Sequence, residues 1–395
     1  CSLRALSGTD RWSRKALRQF RGGWALGGGG RQLTMMQHGH VRRAPLAVQA
    51  SSARLARPAA PPTMTSSPTP ILICGGAGYI GSHMCKQLAQ AGYLPVTFDN
   101  LSTGHRWAVQ WGPLVEGDLL DADALRHVLG RWPFAAVMHF AALSQVGQSM
   151  AEPERYFRNN VAGTLNLLEA MQGAGVPALV FSSTAAVYGN PESVPITEDQ
   201  PQQPINPYGW SKLMAERMIA EQCRAHGLSA ACLRYFNAAG ADPDGQTGEA
   251  HEPETHLIPN VLRAAMAPDG EVTVFGTDYP TPDGTCVRDY VHVHDLCRAH
   301  LLALEHARRA GGFHVFNLGS GQGHSVAEVL AQARALCDGR PAARHAPRRA
   351  GDPAVLVASA RRAQQVLGWQ PRYGLGDMLR TALAWHQAQA PSAAP

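Results

Sequence analysis

The run ILICGGAGYIGSH, residues 71–83, constrains the fold more than any other stretch of this chain. Its first four residues are apolar and read as a buried strand that leads straight into Gly75, Gly76, Gly78 and Gly81. Counted from Gly76 the glycines satisfy G-x-G-x-x-G; counted from Gly75 they give G-x-x-G-x-x-G. Glycines there let the chain turn tightly and bring N–H groups against a pyrophosphate, whose charge the following helix N-terminus stabilises. A glycine run alone is common in turns. Here it opens the first strand–helix unit, and Asp99 ends the next strand, 21 residues beyond Gly78. A carboxylate there accepts hydrogen bonds from an adenosine ribose and repels a 2′-phosphate, which predicts NAD rather than NADP. Asp118, after LVEG, is either a contact to the adenine ring or a helix N-cap.

From residue 70 the pattern is regular. Apolar runs at 71–74, 95–98, 135–142, 178–183 and 231–236 alternate with helical stretches at 79–91, 121–131, 154–172 and 207–226. That alternation predicts an α/β fold, a Rossmann-type doubly wound parallel sheet covered on both faces. After about 240 the spacing turns irregular. The expected division is an NAD-binding domain over 64–240 and a smaller mixed α/β substrate-binding lobe over 241–390, some of whose segments return to the first domain.

Residues 1–63 hold eleven Arg and Lys against one acid, Asp10, while the remainder carries 24 basic and 29 acidic residues, net −5. The mildly acidic body argues against nucleic acid as a partner. The basic head lacks an amphipathic repeat and is expected to be a disordered extension. It reads as an organelle transit peptide, as upstream sequence translated in error before Met64, or as a nucleic-acid tail, the second reading being preferred. No run of 18 apolar residues predicts a membrane span. The eight cysteines are scattered without a C-x-x-C pair, and HVHD at 292–295 lacks a ligand spacing. A reducing, cytoplasmic setting and no metal are therefore expected, with organelle import the alternative if the head is a genuine transit peptide.

Chemistry enters with NPYGWSKLMAE, residues 206–216. Pro207 suits a first helical turn, and the spacing of four puts Tyr208 and Lys212 on one helix face. Free tyrosine titrates near ~10, so it serves as a base at neutral pH only if positive charge favours the phenolate. An ammonium one turn away and a cationic nicotinamide would both do so. The strand end FSSTAAVYG adds the hydroxyls of Ser182, Ser183 and Thr184 at the carboxyl edge of the sheet, where open α/β folds bind ligands.

With these stand GGAGYIGSH, DNLSTG, VMHFAAL, NNVAGTLNLLEAM, PYGWSK, LRYFNAAGA, GTDYPTPDGTCVRDYVHV, FNLGSGQGHSV and APRRAGDPA. Over about 70–388 the chain resembles the extended short-chain dehydrogenase/reductase superfamily and, within it, the UDP-glucose 4-epimerase family. The resemblance implies an isomerase that oxidises the sugar at carbon 4 with tightly held NAD, lets the 4-keto sugar turn, and returns the hydride to its other face. It implies Tyr208 as base, Lys212 as the group that orients and acidifies it, and Thr184 as hydroxyl relay. Gly75, Gly78, Tyr79, Ile80, Gly81, Asp99, Asn100, Asp118, Leu119, Phe140, Ala141, Asn160, Ser182, Tyr208, Lys212 and Phe236 would line the NAD site. Thr184, Tyr208, Asn237, His256, Leu257, Arg288, Arg349 and Asp352 would hold the UDP-hexose, the arginines as forks on the pyrophosphate.

Three positions depart from the family pattern: Ser144 for a lysine near the cofactor phosphates, Thr255–His256 for an Asn-Asn pair, and Leu356 at the hexose wall. Leu356 leaves open whether N-acetylated sugars also fit. Ala185 and Ala186 occupy the places where nucleotide-sugar dehydratases carry an acidic pair, which argues against dehydration. UDP-N-acetylglucosamine or UDP-xylose epimerisation is the nearer alternative, and a non-catalytic NAD-binding regulator a remoter one. Helices 154–172 and 207–226 resemble those that form dimer bundles in relatives, so a homodimer is expected.

Overall fold

The apolar runs of the sequence become strands because each is buried on both faces, which a parallel sheet between two helix layers requires. A computed structural model of the protein describes residues 67–349 and 352–389; the basic head lies outside the described residues. In chain order the strands are β1 (Pro70–Cys74), β2 (Leu94–Asp99), β3 (Leu114–Glu116), β4 (Ala136–His139), β5 (Ala178–Thr184), β6 (Ser229–Tyr235) and β7 (Asn237–Ala239). There follow β8 (Glu271–Phe275), β9 (Val287–His292), β10 (Phe313–Leu318), β11 (Gly323–Ser325), β12 (Ala342–Ala346) and β13 (Val355–Leu356).

Seven strands form one sheet in the order β10-β6-β5-β4-β1-β2-β3, every pairing parallel. Strand order reverses between β1 and β4, and the crevice at the carboxyl ends beside that point is where a doubly wound sheet binds its ligand. Alternate side chains separate the two cores. Ile71, Ile73, Met138, Val180 and Leu233 pack with Leu88, Leu296 and Leu304 from helices Tyr79–Gln90 and Val293–Ala310. Leu72, Val137, Leu179 and Phe181 pack with Leu125, Leu167 and Ile219 from helices Ala122–Arg131, Gly163–Ala174 and Pro207–His226.

A third core belongs to the smaller lobe, where Ile258, Leu262, Val274, Tyr290, Val329 and Leu379 join helices Leu257–Met266, Val326–Leu336 and Leu375–Gln389 to β8 and β9. Within that lobe β9 pairs with β7, β11 and β13, and β8 with β12. Helix Val293–Ala310 and β10 lie with the large sheet although they come late in the chain. Among the described residues no helix is long and apolar enough to cross a membrane.

Two elements differ from expectation. The strand expected over 135–142 ends at His139, because the amides of Phe140 and Ala141 both turn onto Cys74 O, at 2.8 and 3.0 Å. The helix expected over 154–172 is broken into Pro153–Tyr156, a π-helical Phe157–Ala162 and Gly163–Ala174. Within it Thr164 Oγ1 donates to Asn160 O at 2.6 Å, and such π segments mark places where a side chain is turned to a task.

Candidate active site

The glycine loop is close-packed on its protein side. Gly75 has φ +82°, and a Cβ on it would lie 2.5 Å from Ala141 N. On Gly76 it would lie 2.6 Å from Thr97 Oγ1, and on Gly81 2.0 Å from Gly75 O. Gly78 differs, since its nearest neighbour would be Gly75 O at 3.4 Å. It caps helix Tyr79–Gln90 without a side chain, beside a cleft that Ala77, Tyr79, Thr103 and His105 also line. That is the open, amide-lined helix start an anionic pyrophosphate needs.

Asp99 Oδ2 accepts from Ala77 N at 3.0 Å and Oδ1 from Leu101 N at 2.8 Å. Burial raises its pKa and these two amides partly restore it. Each oxygen keeps a lone pair for a ribose hydroxyl. Asn100 donates to Asp118 Oδ2 at 2.8 Å, and Asp118 Oδ1 accepts from Leu120 N at 2.8 Å. The helix cap is Asp121, which accepts from Asp123 N and Ala124 N, so Asp118 does not have that role. Leu119 is buried against Gly163, and Ile80 and Phe140 pack on the sheet's first core. Tyr79 donates to Gly240 O at 2.5 Å, tying the loop to the lobe side. Asn160 has its amide committed to Leu143 N, Leu143 O and Ser211 Oγ at 2.9, 3.0 and 2.9 Å. It clamps the segment after β4 to helix Pro207–His226. Open glycine, capless helix start and half-satisfied carboxylate together fit a dinucleotide.

Helix Pro207–His226 begins where Asn206 Oδ1 accepts from Gly209 N at 2.8 Å, with Pro207 in the first turn. A Cβ on Gly209 would sit 2.6 Å from Ala186 O, so the helix start presses directly on the turn Ala185–Tyr188. That contact brings Tyr208 near Thr184, whose hydroxyl also accepts from Ala186 N at 3.2 Å. Burial pushes Tyr208 up to about 12, the neighbouring Thr184 hydroxyl pulling the other way. Lys212 is carried down to about 7, again chiefly by burial, with Cys232 and Glu216 opposing. Its Nζ donates to Ser182 O at 2.8 Å and lies 4.8 Å from the centre of the Phe181 ring. For both groups burial is the first cause of the shift. Ser182 Oγ hydrogen-bonds Tyr235, and Ser183 donates to Glu216 Oε1 at 2.5 Å. Glu216 and Arg234 form a buried ion pair behind the helix, which sequence reasoning missed because the partners lie on different elements.

On the lobe side, Arg288 on β9 stands opposite Leu356 in the ladder, pairs with Asp352 and donates to Val287 O at 2.8 Å. The Arg349 guanidinium lies 4.1 Å from the centre of the Phe275 ring. Burial raises the Cys286 thiol, with the charges of Arg288 and Arg349 opposing and that of Asp352 adding to the shift. Asn237 donates to Asp289 O at 2.9 Å, leaving its carbonyl free of that contact. Phe236 and Leu356 meet in an apolar patch with Val187, Tyr188 and Leu213. Tyr279, missed in the sequence, places a buried hydroxyl without a hydrogen-bond partner near the same charges of Asp352 and Arg288. Its signal was the motif GTDYPTPDG, which entered only as part of the family resemblance.

The HVHD stretch is a packing hub. His292 stacks on Tyr373 at 4.1 Å, His294 hydrogen-bonds Asp242 at 3.0 Å, and Lys86 meets the same carboxylate at 2.7 Å. Elsewhere, His256 and Leu257 begin helix Leu257–Met266, and the His256 ring lies 2.8 Å from Glu249 and 3.0 Å from Glu254. No motif in the sequence pointed to that grouping.

The profile of the NAD dependent epimerase/dehydratase family matches residues 71–319, and the chain belongs to this family of dinucleotide-dependent enzymes. Its relatives are more specific. It is 49% identical over 316 residues to the UDP-glucose 4-epimerase of Rhizobium leguminosarum bv. trifolii, covering 80% of this chain and 97% of that one. A crystal structure of UDP-glucose 4-epimerase from Brucella ovis in complex with NAD superposes with TM-score 0.78 at 48% identity, over 80% of this chain and 98% of that chain. The enzyme from Bifidobacterium longum, in complex with NAD+ and UDP, gives TM-score 0.78 at 36% identity, over 81% and 98%.

Proposed function

We propose that this chain is an NAD-dependent UDP-glucose 4-epimerase, interconverting UDP-galactose and UDP-glucose. The observation that carries the reading is the placement of Tyr208 beside the Thr184 hydroxyl at the carboxyl edge of the sheet, with Ala185 and Ala186 next in the chain where a dehydratase would need acids. NAD, when bound, supplies the hydride acceptor for carbon 4 and a cationic ring that favours the Tyr208 phenolate. Tyr208 takes the proton of the sugar 4-hydroxyl, Thr184 passes or holds it, and Lys212, fixed on Ser182 O, keeps the helix face in register. The Arg288–Asp352 pair with Arg349 holds the pyrophosphate as a fork, leaving the hexose able to turn. The Gly75–Gly81 loop, Asp99 and Asn100 hold the dinucleotide.

Chemistry of this kind returns the cofactor to its starting state, so turnover needs no added NAD. The test is purified full-length protein given UDP-galactose alone, with UDP-glucose followed by chromatography. Product is expected, and Tyr208→Phe should lower turnover by roughly 10²–10⁴-fold while the protein still releases NAD on denaturation. Full turnover in that variant would sink the mechanism. Product only from UDP-N-acetylgalactosamine or UDP-arabinose would move the substrate and keep the reaction.

A homodimer is part of the proposal. Trp210 and Met214 are exposed on helix Pro207–His226 and Leu165 on helix Gly163–Ala174, whereas Leu213 is turned inward. An apolar face on two neighbouring helices suits a second copy. A monomer mass by light scattering at micromolar concentration would remove it. A reducing cytoplasm is supported by the seven described cysteines being unpaired.

A further inference from the structure

Eight residues of irregular chain, Glu249 to His256, bring two carboxylates and two imidazoles to one point. His251 Nδ1 lies 3.0 Å from Glu249 Oε1, and His256 Nδ1 lies 2.8 Å from that same oxygen. Glu254 offers Oε1 at 3.0 Å from His256 and Oε2 at 3.9 Å from His251. One atom from each of the four residues lies within 4.8 Å of all the others. Around a four-coordinate ion with bonds of about 2.0–2.2 Å, neighbouring ligand atoms stand about 3.3–3.5 Å apart. The closest separations, 2.8 to 3.9 Å, bracket that spacing, and the widest, at up to 4.8 Å, would have to close by about an ångström.

The two carboxylates are not surface acids. The Glu249 and Glu254 side chains are 5% and 2% exposed, whereas those of His251 and His256 are 28% and 46% exposed. Glu254 Oε1 is in use, accepting from Thr255 N and His256 N at 2.8 Å each. Glu254 Oε2 has no hydrogen-bond partner, though it is buried. A buried carboxylate oxygen left bare costs free energy unless something positive meets it, and it faces His251 across the middle of the group. The loop is also braced from outside. Trp385 donates to Glu249 O at 3.1 Å, His105 bonds Ala250 O at 2.7 Å, and Gly248 lies so close to the Trp385 ring that a Cβ would fall 2.4 Å from it.

We infer that Glu249, His251, Glu254 and His256 form a structural binding site for a divalent transition-metal ion. Two oxygens and two imidazole nitrogens suit Zn²⁺, which tolerates mixed N/O ligands in a tetrahedral shell and favours no redox chemistry. Four protein ligands leave no open position, so the ion fixes the loop and takes no part in the reaction. What it fixes is the approach to both halves of the cleft: His251 packs edge-on to Tyr79 of the glycine loop, centroids 6.2 Å apart, and His256 leads into helix Leu257–Met266. The inference does not depend on which sugar the enzyme turns over.

The test uses chelator-treated full-length protein. Zn²⁺ titrated by calorimetry should bind with one equivalent per chain that Glu254→Gln and His251→Ala each weaken by on the order of 100-fold or more. Glu254→Gln keeps an acceptor for the two backbone amides, and His251 is partly exposed, so either variant should keep the parent's far-UV circular dichroism. Co²⁺ in the unaltered protein should give the visible absorption of a four-coordinate oxygen–nitrogen site without intense thiolate charge-transfer bands. Zn²⁺ should raise the melting temperature of the parent but not of the variants. Failure to take up an equivalent, unchanged affinity in both variants, or thiolate bands with Co²⁺ would each overturn the assignment.

Discussion

The sheet side and the lobe side of the cleft are built from different materials. Along the sheet, the shape is set by backbone meeting backbone: Gly75 under Ala141, Gly81 against Gly75 O, Gly209 against Ala186 O. The charges there, Glu216, Arg234 and Lys212, are buried and each has a fixed partner. Across the cleft stand long side chains, with Arg288 on Asp352, Arg348 on Asp278 and Arg349 over Phe275, several of them half in water. The difference fits the two tasks. Hydride transfer needs a dry site held to fractions of an ångström, whereas a sugar that must turn needs a grip that yields.

The sharpest way to break this contrast is to strike the same kind of bond on each side. Arg234→Met leaves Glu216 buried without its partner and should cost about 3–5 kcal/mol, read by urea unfolding. A loss under about 1 kcal/mol would show that the sheet side is not the rigid one. Gly81→Ala should follow, losing roughly 1–3 kcal/mol and most of the bound NAD, because its Cβ meets a carbonyl 2.0 Å away. Gly78→Ala should keep the melting temperature while releasing NAD more easily, since that methyl has room in the protein and would crowd only the dinucleotide.

Acid sharpens the same division. Burial holds His83 and His300 near 4 and His139 and His292 near 3, well under the ordinary ~6.5. Between these values the unfolded chain binds more protons than the folded one, so stability is complete above about pH 6.5 and falls as pH drops. Each such histidine adds up to about 1.4 kcal/mol per pH unit, which should appear as a steep decline in melting temperature between pH 6 and 4.5. A flat profile would mean that these rings are not buried neutral. The smallest effect belongs to the lobe: Asp278→Asn, breaking an exposed pair with Arg348, should change stability by less than about 1 kcal/mol.

This division also explains what the sequence made legible. The glycine loop, Asp99 and the Tyr208–Lys212 spacing are local patterns whose geometry the backbone enforces. The roles carried by convergence could not be read in the same way. Arg288 meets Asp352 across 64 residues, and Glu216 finds Arg234 on another element. Asn160, expected at the cofactor, also clamps the segment after β4 to helix Pro207–His226, a role that only the contacts to Leu143 and Ser211 reveal. The burial that lowers Lys212 and raises Tyr208 is likewise invisible until the sheet is assembled. Glu249 to His256 is local, yet its spacing matches no familiar ligand motif, and only folding shows the four groups facing inward.

Gly209 has one further bearing, on how such a protein can change. With no side chain between the helix start and Ala186, the separation of Tyr208 from Thr184 is inherited from two backbones and cannot be retuned by repacking. Selection for a new sugar would therefore find its useful variation at Leu356, Tyr279 and the arginines around them. On the proposed mechanism, lineages could drift in substrate range while the pair assigned to proton handling stays where it is.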